Sequence, residues 1–507
     1  MIKIQGDLFR RIKLNRQRMD DNIYHAEKLL PYVGGWPGDF PGRGILSLTS
    51  LYKSLNGYEE EQKSILNQLE EIFSNIDSYL NSDYYFGDVF DGKVLDEQQI
   101  SGNAWYLRGL IEYYKITNNR KYLDQIKVIT KNYLLKIASF YDSYPIEIRR
   151  EEGSVAGHAN KDIFSNWRVS SDIGCAFIML DGLTAVYELL KTEQLKNMII
   201  TLINKFLTIN YVEFECQTHA TLSCARGIFR FYELTNDEKY LNYVINIFER
   251  YKNFGMTYDY SNINWFNRKE TWTEPCCIID SLILSKKLYL STKNISYLKL
   301  FNRIYVNALR TFQRNNGGAG CSTCAIDDMY VLKNYLYEAF FCCTMRLGEG
   351  LYEISDFSLL RAKDTIIVPF NVSFEYKKDN NHIIIDNEIY QSNQIKINLK
   401  NVDSISSILL YVPDNTEVEG YEVIDNFIKL DLNEKNIILN VKMVPIIENK
   451  LVFKGDMLLT IKGIGDSTAE KIISYRSKHP FNSIQEIKNV SGIGEVVYEK
   501  IKDFITV

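Results

Sequence analysis

The chain has 507 residues, more than a single core accommodates, and its 46% hydrophobic and 24% charged residues are an ordinary globular composition. A net charge of −5 excludes a polyanion binder that works through bulk electrostatics. No stretch approaches the roughly 18 consecutive apolar residues of a membrane span, and MIKIQGDLFRRIKLNRQRMDDN contains no apolar leader core, so a cytoplasmic protein with no membrane partner is expected.

Residues 1–355 read as helix after helix. AWYLRGLIEYYKITNNRKYLDQI from Ala104, CARGIFRFYELTNDEKYLNYV from Cys224 and CCIIDSLILSKKLYLSTKNISYLKLF from Cys276 resemble one another. Each has an apolar helix, a polar turn (TNN, TND, STKN), a Tyr-Leu pair and a second helix. CAFIMLDGLTAVYELLKTEQLKNMI from Cys175 follows the pattern loosely. Recurring αα-hairpins bury their apolar faces against neighbours. Twelve such helices predict an (α/α)6 toroid, with an open solenoid as the alternative.

Residues 356–447 change character. DTIIVPFNVSFEY, NHIIIDN, QIKINLK, SSILLYV, FIKLDL and NIILNVKM are short, β-branched and partly alternating, and predict an antiparallel β-sandwich. Ile446 to Lys450 reads as a linker. Residues 454–507 predict a small all-α unit, in which Gly463–Gly465 and Gly492–Gly494 are Gly-Ile-Gly triplets before helical stretches. Such glycines expose backbone amides that can hold a phosphate.

Nine cysteines, with adjacent pairs at Cys276-Cys277 and Cys342-Cys343, make a poor disulfide framework and point to metal binding or catalysis in a reducing compartment. WTEPCC offers Glu274 and Cys276, and EAFFCC offers Cys342 and Cys343. Together they supply the four thiolate and carboxylate ligands of a tetrahedral Zn2+ site. Two alternatives stand beside this. The cysteines can be small buried hydrophobes, or Cys321 and Cys324 of a CxxC can join Cys342 and Cys343 in a structural four-sulfur site. GGWPGDFPGRG and GAGCSTC lack the P-loop Lys-Ser/Thr, so no nucleotide cofactor is expected.

Glu274-x-Cys276 followed by Cys342-Cys343, the helix THATLSCARGIFRFYELTNDEKYL from Thr218, and the order toroid then β-sandwich resemble glycoside hydrolase family 127, the β-L-arabinofuranosidase-like proteins. WPGDFPGRGILSL, SSDIGCAF and CCTMRLGEG are similar to segments of its more distant members. The resemblance implies a retaining glycosidase with a carbohydrate substrate, a furanoside or a related glycoside. It implies Cys342 as a zinc-tuned nucleophile that forms a thioglycosyl intermediate, and a Glu as acid/base. The family's Gly-Glu-x-Phe segment is missing here, and Asp259 and Glu270 are the acid/base candidates. His219 corresponds to a substrate-contacting histidine. Trp36, Asp39 and Arg43 in a Gly/Pro-rich loop, and Trp265, are further candidates for substrate contact. Trp167, Arg168 and Asp172 form a similar cluster, and Glu338 is a candidate to support the metal.

The tail, IKGIGDSTAEKIISYRSKHPFNSIQEIKNVSGIGEVVYEKIKDFITV, resembles the helix-hairpin-helix domain of competence-type DNA receptors. That implies backbone contacts to DNA from Gly463, Gly465, Gly492 and Gly494, with Lys462, Ser491 and Lys500 beside them. Eight Lys/Arg against seven Asp/Glu from Lys454 onward leave +1, and a protein-contact module is the alternative. The sequence reading is therefore a zinc–thiolate glycosidase. A catalytically silent, zinc-stabilised toroid acting as a scaffold is the second reading.

Overall fold

The computed structural model describes residues 2–31, 35–146, 157–268, 270–324, 335–448, 451–458, 468, 471–472, 474–475, 478–479, 481 and 483–502. Twelve helices build its larger part: α1 (Gly6–Met19), α2 (Asp39–Ser54), α3 (Glu59–Asn75), α4 (Glu97–Thr117), α5 (Arg120–Ile129), α6 (Met179–Leu190), α7 (Glu193–Leu207), α8 (Thr218–Thr235), α9 (Glu238–Phe254), α10 (Pro275–Thr292), α11 (Ile295–Arg303) and α12 (Cys343–Asp356). The even-numbered helices form an inner ring. Each packs on the next, and α12 returns to pack on α2. The ring is thus closed, as an (α/α)6 toroid and not as an open solenoid.

The polar turns between repeats have a specific local cause. The inner helices α4, α6, α8 and α10 end at Asn118, Lys191, Asn236 and Lys293, all in the left-handed conformation. Asn119, Thr192, Asp237 and Asn294 then cap the following outer helices with their side chains. One residue reverses the chain and the next starts a helix, which is what TNN, TND and STKN encode.

Glycine lets the inner helices approach closely. A Cβ on Gly42 would lie 2.2 Å from the Trp105 carbonyl carbon, and one on Gly227 would lie 2.4 Å from that of Leu180. Both obstacles are backbone of the neighbouring inner helix, which cannot yield as a side-chain tip does.

The β-domain has a six-stranded sheet ordered Ile2–Gln5, Ser373–Lys378, Asn381–Glu388, Gln394–Asn401, Asn436–Met443, Thr416–Val418. A four-stranded sheet is ordered Phe427–Leu430, Ser407–Tyr411, Thr365–Val368, Leu360–Ala362. Alternation sets the faces: Ile437, Leu439, Val441 and Met443 of NIILNVKM are buried and their neighbours exposed. Three features depart from the sequence reading. The first strand of the chain pairs with Ser373–Lys378 and so tethers the N-terminus to this domain. Ser407–Tyr411 and Thr365–Val368 run parallel. Ile446–Glu448 is a strand paired with Leu451–Lys454 and not a linker, because its apolar residues continue the extended pattern. The hairpin ends at the buried Asp456, whose carbonyl accepts a hydrogen bond from Asn307 beside α11.

Among the described tail residues, Ile487, Val490, Ile493, Tyr498 and Ile501 form their own small core. Helix Glu495–Ile501 starts at Gly494.

Gly227→Ala is expected to cost about 1–3 kcal/mol, the usual range for forced overpacking. Urea unfolding of the two proteins checks this, and an unchanged midpoint would contradict the close helix crossing.

Candidate active site

Two adjacent inner helices begin at the same end of the toroid. Glu274 is the N-cap residue of α10, with Pro275 at its first position, and its side chain makes no capping bond. Cys342 is the N-cap residue of α12 and likewise leaves its side chain uncommitted to the helix. Strand Trp272–Thr273, just before α10, pairs with Gly320–Thr323, which pairs with Tyr335–Glu338, just before α12. This small sheet brings the two distant motifs together.

Ligand atoms of Glu274, Cys276, Cys342 and Cys343 lie within 4.8 Å of one another. The Sγ of Cys276 is 3.3 Å from that of Cys342 and 3.7 Å from that of Cys343. Cys342 Sγ is 3.7 Å from Glu274 Oε1, and Gln217 Nε2 donates to Glu274 Oε2 at 3.1 Å. Arg43 reaches Cys276 Sγ at 3.5 Å. Burial penalises a Cys276 anion, yet S–H donation from Cys342 and Cys343 and the Arg43 charge outweigh it and bring that thiol down to about 6. Cys342, as donor to Cys276, is pushed up. Burial and the facing thiols push Glu274 well above the carboxylate range. Three crowded sulfurs and a buried carboxylate repel one another once ionised, and a divalent soft-accepting cation removes that penalty. The donor set fits zinc.

Behind the cluster the toroid axis is filled with charge. Asp280 on α10 accepts four donors: Arg346 at 2.5 Å, Arg226 at 2.6 Å, Ser223 at 2.7 Å and His219 Nδ1 at 2.8 Å. Glu349 pairs with Arg226 at 2.5 Å and with Arg346. Asp181 on α6 pairs with Arg230 at 2.8 Å and Arg108 at 3.0 Å. Trp105 on α4 is fully buried, with Arg43 and Arg346 at 4.3 and 4.5 Å from its ring centroid and the His219 ring nearly parallel at 5.8 Å. All six inner helices contribute. The sequence reading missed Trp105, Asp181, Arg226, Asp280, Arg346 and Glu349. The signal was present as single charges inside apolar helices, such as Asp280 in CCIIDSLIL.

The sequence candidates fall in different places. Asp39 and Arg43 are not in a loop. Gly38 takes the left-handed conformation just before α2, and both residues sit in its first turns, buried and paired at 2.8 Å. Burial pushes Asp39 up to about 6 against the pull of Arg43, with Cys342 and His219 also acting on it. Trp36 is half-buried, and its indole donates to the Gly157 carbonyl at 3.4 Å. Trp265 is buried against Trp272, with Arg268 over its ring. Trp167 is core, packed by Tyr141 and Tyr144, while Arg168 pairs with Asp96 at 3.3 Å and Asp172 accepts from Gly157 N–H. Glu338 accepts from Arg18 at 2.8 Å and Thr344 at 3.2 Å, which ties α1 to the end of the small sheet.

Neither acid/base candidate belongs to the group of four. Glu270 is exposed and bound to Arg268 at 2.8 Å. Asp259 closes its own turn, accepting from Thr257 at 2.6 Å and Ser261 N–H at 3.2 Å. Cys324 donates to the Asn262 carbonyl, and Cys321 hydrogen-bonds Cys343 from outside the group of four. Glu274 and Cys276 thus take the places that the four-sulfur alternative gave to the CxxC. In the tail, Lys462, Gly463 and Gly465 lie outside the described residues. Gly492 adopts φ 100°, Gly494 precedes the last helix, and Lys500 lies in that helix.

Fold and site define an (α/α)6 toroid with a sulfur-rich, metal-competent cluster at one end, followed by a β-domain and a tail. A GH127 β-arabinofuranosidase structure matches 90% of this chain and 83% of its own at 14% identity, with TM-score 0.60. A GH127 β-L-arabinofuranosidase from Geobacillus stearothermophilus T6 matches 90% and 86% at 11% identity, with TM-score 0.58. A structure described as a glycoside hydrolase matches 90% and 81% at 9% identity, with TM-score 0.62. At these identities the likeness is one of fold. The helix-hairpin-helix motif model matches residues 455–506. ComE operon protein 1 of Bacillus subtilis (strain 168) is 54% identical over 48 residues, 9% of this chain and 23% of that protein. The chain thus spans under a quarter of that curated relative. No helix among the described residues is long and apolar enough to cross a membrane.

Asp181 supplies a stability test of the axis. Burial opposes its ionisation, but Arg226, Arg230 and Arg108 hold its carboxyl far below the ordinary value. A depressed native pKa stabilises the fold above the unfolded value of about 3.9, and that contribution is lost as pH falls below it. Asp181→Asn is expected to cost about 3 kcal/mol or more at neutral pH, because it strands buried guanidinium charge. Its stability should also fall less steeply than that of the wild type below about pH 4. Urea midpoints across that range check both.

Proposed function

We propose that this protein is a retaining glycosidase acting on a furanoside, with Cys342 as nucleophile in a zinc-loaded site. One observation carries the choice of sulfur: of nine cysteines, eight are buried and Cys342 alone is partly exposed. It is the thiol that a ligand can reach, while Cys276 and Cys343 are enclosed. The fold shared with GH127 β-arabinofuranosidases supports a pentofuranoside as the substrate. The sugar and linkage follow from the panel below.

Glu274, Cys276, Cys342 and Cys343 would hold the zinc, which when bound keeps the thiols ionised at neutral pH without a neighbouring base. Gln217 orients Glu274 through its second oxygen, and Arg43 adds positive charge beside Cys276. The N-termini of α10 and α12 both favour negative charge at this end. The Cys342 thiolate attacks the anomeric carbon as the glycosidic C–O bond breaks, and the leaving oxygen takes a proton from a general acid. In the second half water gives its proton to the same group, its oxygen attacks the anomeric carbon, and the Cys342 thiolate departs. Two displacements give net retention.

The tail is a second, independent element of the reading. Its own core and its helix-hairpin-helix match support contact with a nucleic acid or a protein.

Wild type purified under reduction is expected to hold about one zinc per chain and to hydrolyse at least one member of a nitrophenyl furanoside panel, with Cys342→Ser reduced to background. Zinc without activity on any furanoside or pyranoside would favour the scaffold reading. Absence of zinc would sink the metal site. Separately, binding of the full chain to duplex DNA should weaken with salt and vanish in a chain ending at Leu458. Equal binding by both chains would remove the tail from that role.

A further inference from the structure

His219 is among the most enclosed polar side chains of the toroid. It is the second residue of α8 and is 2% exposed. Its Nδ1 is committed to Asp280 at 2.8 Å, with Ser223 at 3.4 Å on the same side. Its Nε2, on the opposite edge of the ring, has no hydrogen-bond partner among the described residues. An unpaired buried nitrogen is costly and points to a group that arrives with a ligand.

Its surroundings link it to the thiols. The ring lies nearly parallel to Trp105, over which Arg43 stacks, and Arg43 in turn touches Cys276 Sγ. Asp39 senses both Cys342 and His219. Asp280 remains a carboxylate: burial opposes this, but Arg346 and Arg226 hold it far below the ordinary range. A charged acceptor at Nδ1 places the neutral ring's proton there, which leaves the Nε2 lone pair to gain and lose a proton. Of the expected carboxylates, Glu270 is bound to Arg268 at the surface and Asp259 accepts from Thr257 in its own turn.

We infer that His219, oriented by Asp280, is the general acid and base of the glycosidase reaction, in place of the Asp259 or Glu270 carboxylate expected from the sequence. This rests on the reading of Cys342 as nucleophile. In the first displacement the Nε2–H of the imidazolium passes its proton to the leaving oxygen as the C–O bond breaks and the C–S bond forms. In the second, water yields a proton to Nε2 as its oxygen bonds the anomeric carbon and the C–S electrons return to Cys342. The imidazolium and the thiolate are both regenerated. His219 is the catalytic residue and Asp280 its positioning residue. The groups facing the ring are Asp280 and Ser223, Trp105 from α4, Asp39 and Arg43 from α2, and Arg346 from α12. Burial lowers the His219 pKa, the Asp280 bond opposes this, and Arg43 and Arg346 add to the lowering. The acid form is needed first, so kcat/KM should fall as pH rises through a pKa below the ordinary histidine value.

The test uses zinc-loaded full-length protein: wild type, His219→Gln and Asp280→Asn. Aryl and alkyl furanosides of graded leaving-group acidity are compared. In His219→Gln, kcat/KM on alkyl furanosides is expected to drop by about 10²- to 10⁴-fold. A dinitrophenyl furanoside, which needs no acid, should still load Cys342, as seen by mass spectrometry. Azide should then restore turnover and give a glycosyl azide of retained configuration. The alkaline limb of the pH profile should vanish in His219→Gln and shift in Asp280→Asn. The chain has only five histidines, so the His219 imidazole can be assigned by NMR from the His219→Gln difference. Its Nε2 in wild type should titrate below the ordinary histidine value while Nδ1 keeps its proton. Equal losses on all leaving groups without azide rescue would overturn the inference and leave Cys342 in place. An Nε2 that never titrates would do the same, even if both variants fail to fold. A wild type that forms no Cys342 adduct would overturn the proposed function and this inference with it.

Discussion

Asp280 lies at the centre of the toroid with no exposure to solvent, and each of its two oxygens is held by a charge or a ring from another inner helix. Arg226 and Arg346 take one oxygen, His219 and Ser223 the other. Arg226 and Arg346 both go on to Glu349, while Arg346 and Arg43 lie over Trp105. Each charge needs the others, since a lone buried ion costs several kcal/mol. The inner helices must therefore close around this axis in one register. Charges so arranged need not add net stability over an apolar core, but they specify which residues face inward and how far each helix is turned.

That register delivers the site. Once α10 and α12 are pinned through Asp280 and Arg346, their N-termini lie side by side, and Glu274, Cys276, Cys342 and Cys343 come within reach of one another. The same pins fix His219 with one nitrogen committed and the other without a partner among the described residues. Chemistry at the rim and rigidity along the axis are thus one construction. The β-domain adds a tether, because the first strand of the chain pairs within it before α1 enters the toroid. Among the described residues, the tail carries its own small core.

The sequence by itself determined the elements and the donor set. Repeat hairpins are local in origin: a left-handed residue followed by a capping side chain ends one helix and begins the next, so TNN, TND and STKN are visible in the chain. Alternation marked the strands of the β-domain, and Glu-x-Cys with Cys-Cys marked the four residues that the fold draws together. Local signals also misled. The glycines and prolines of GGWPGDFPGRG suggest a loop, yet Asp39 and Arg43 belong to a buried helix whose start is set by Gly38. The apolar Ile446–Glu448 suggests a connection only until its partner Leu451–Lys454 is known.

Tertiary structure alone decided three matters: ring closure, the surface position of Glu270 and the pairing of His219 with Asp280. None has a short-range signature. Partners 61 residues apart for His219 and Asp280, and 123 apart for Arg226 and Glu349, meet only because six helices share one axis. A carboxylate in a loop reads the same whether it faces a cleft or an arginine. The physical reason is burial: the roles of Asp280, Trp105 and His219 come from the water excluded around them, and exclusion is a property of the closed ring and not of any segment within it.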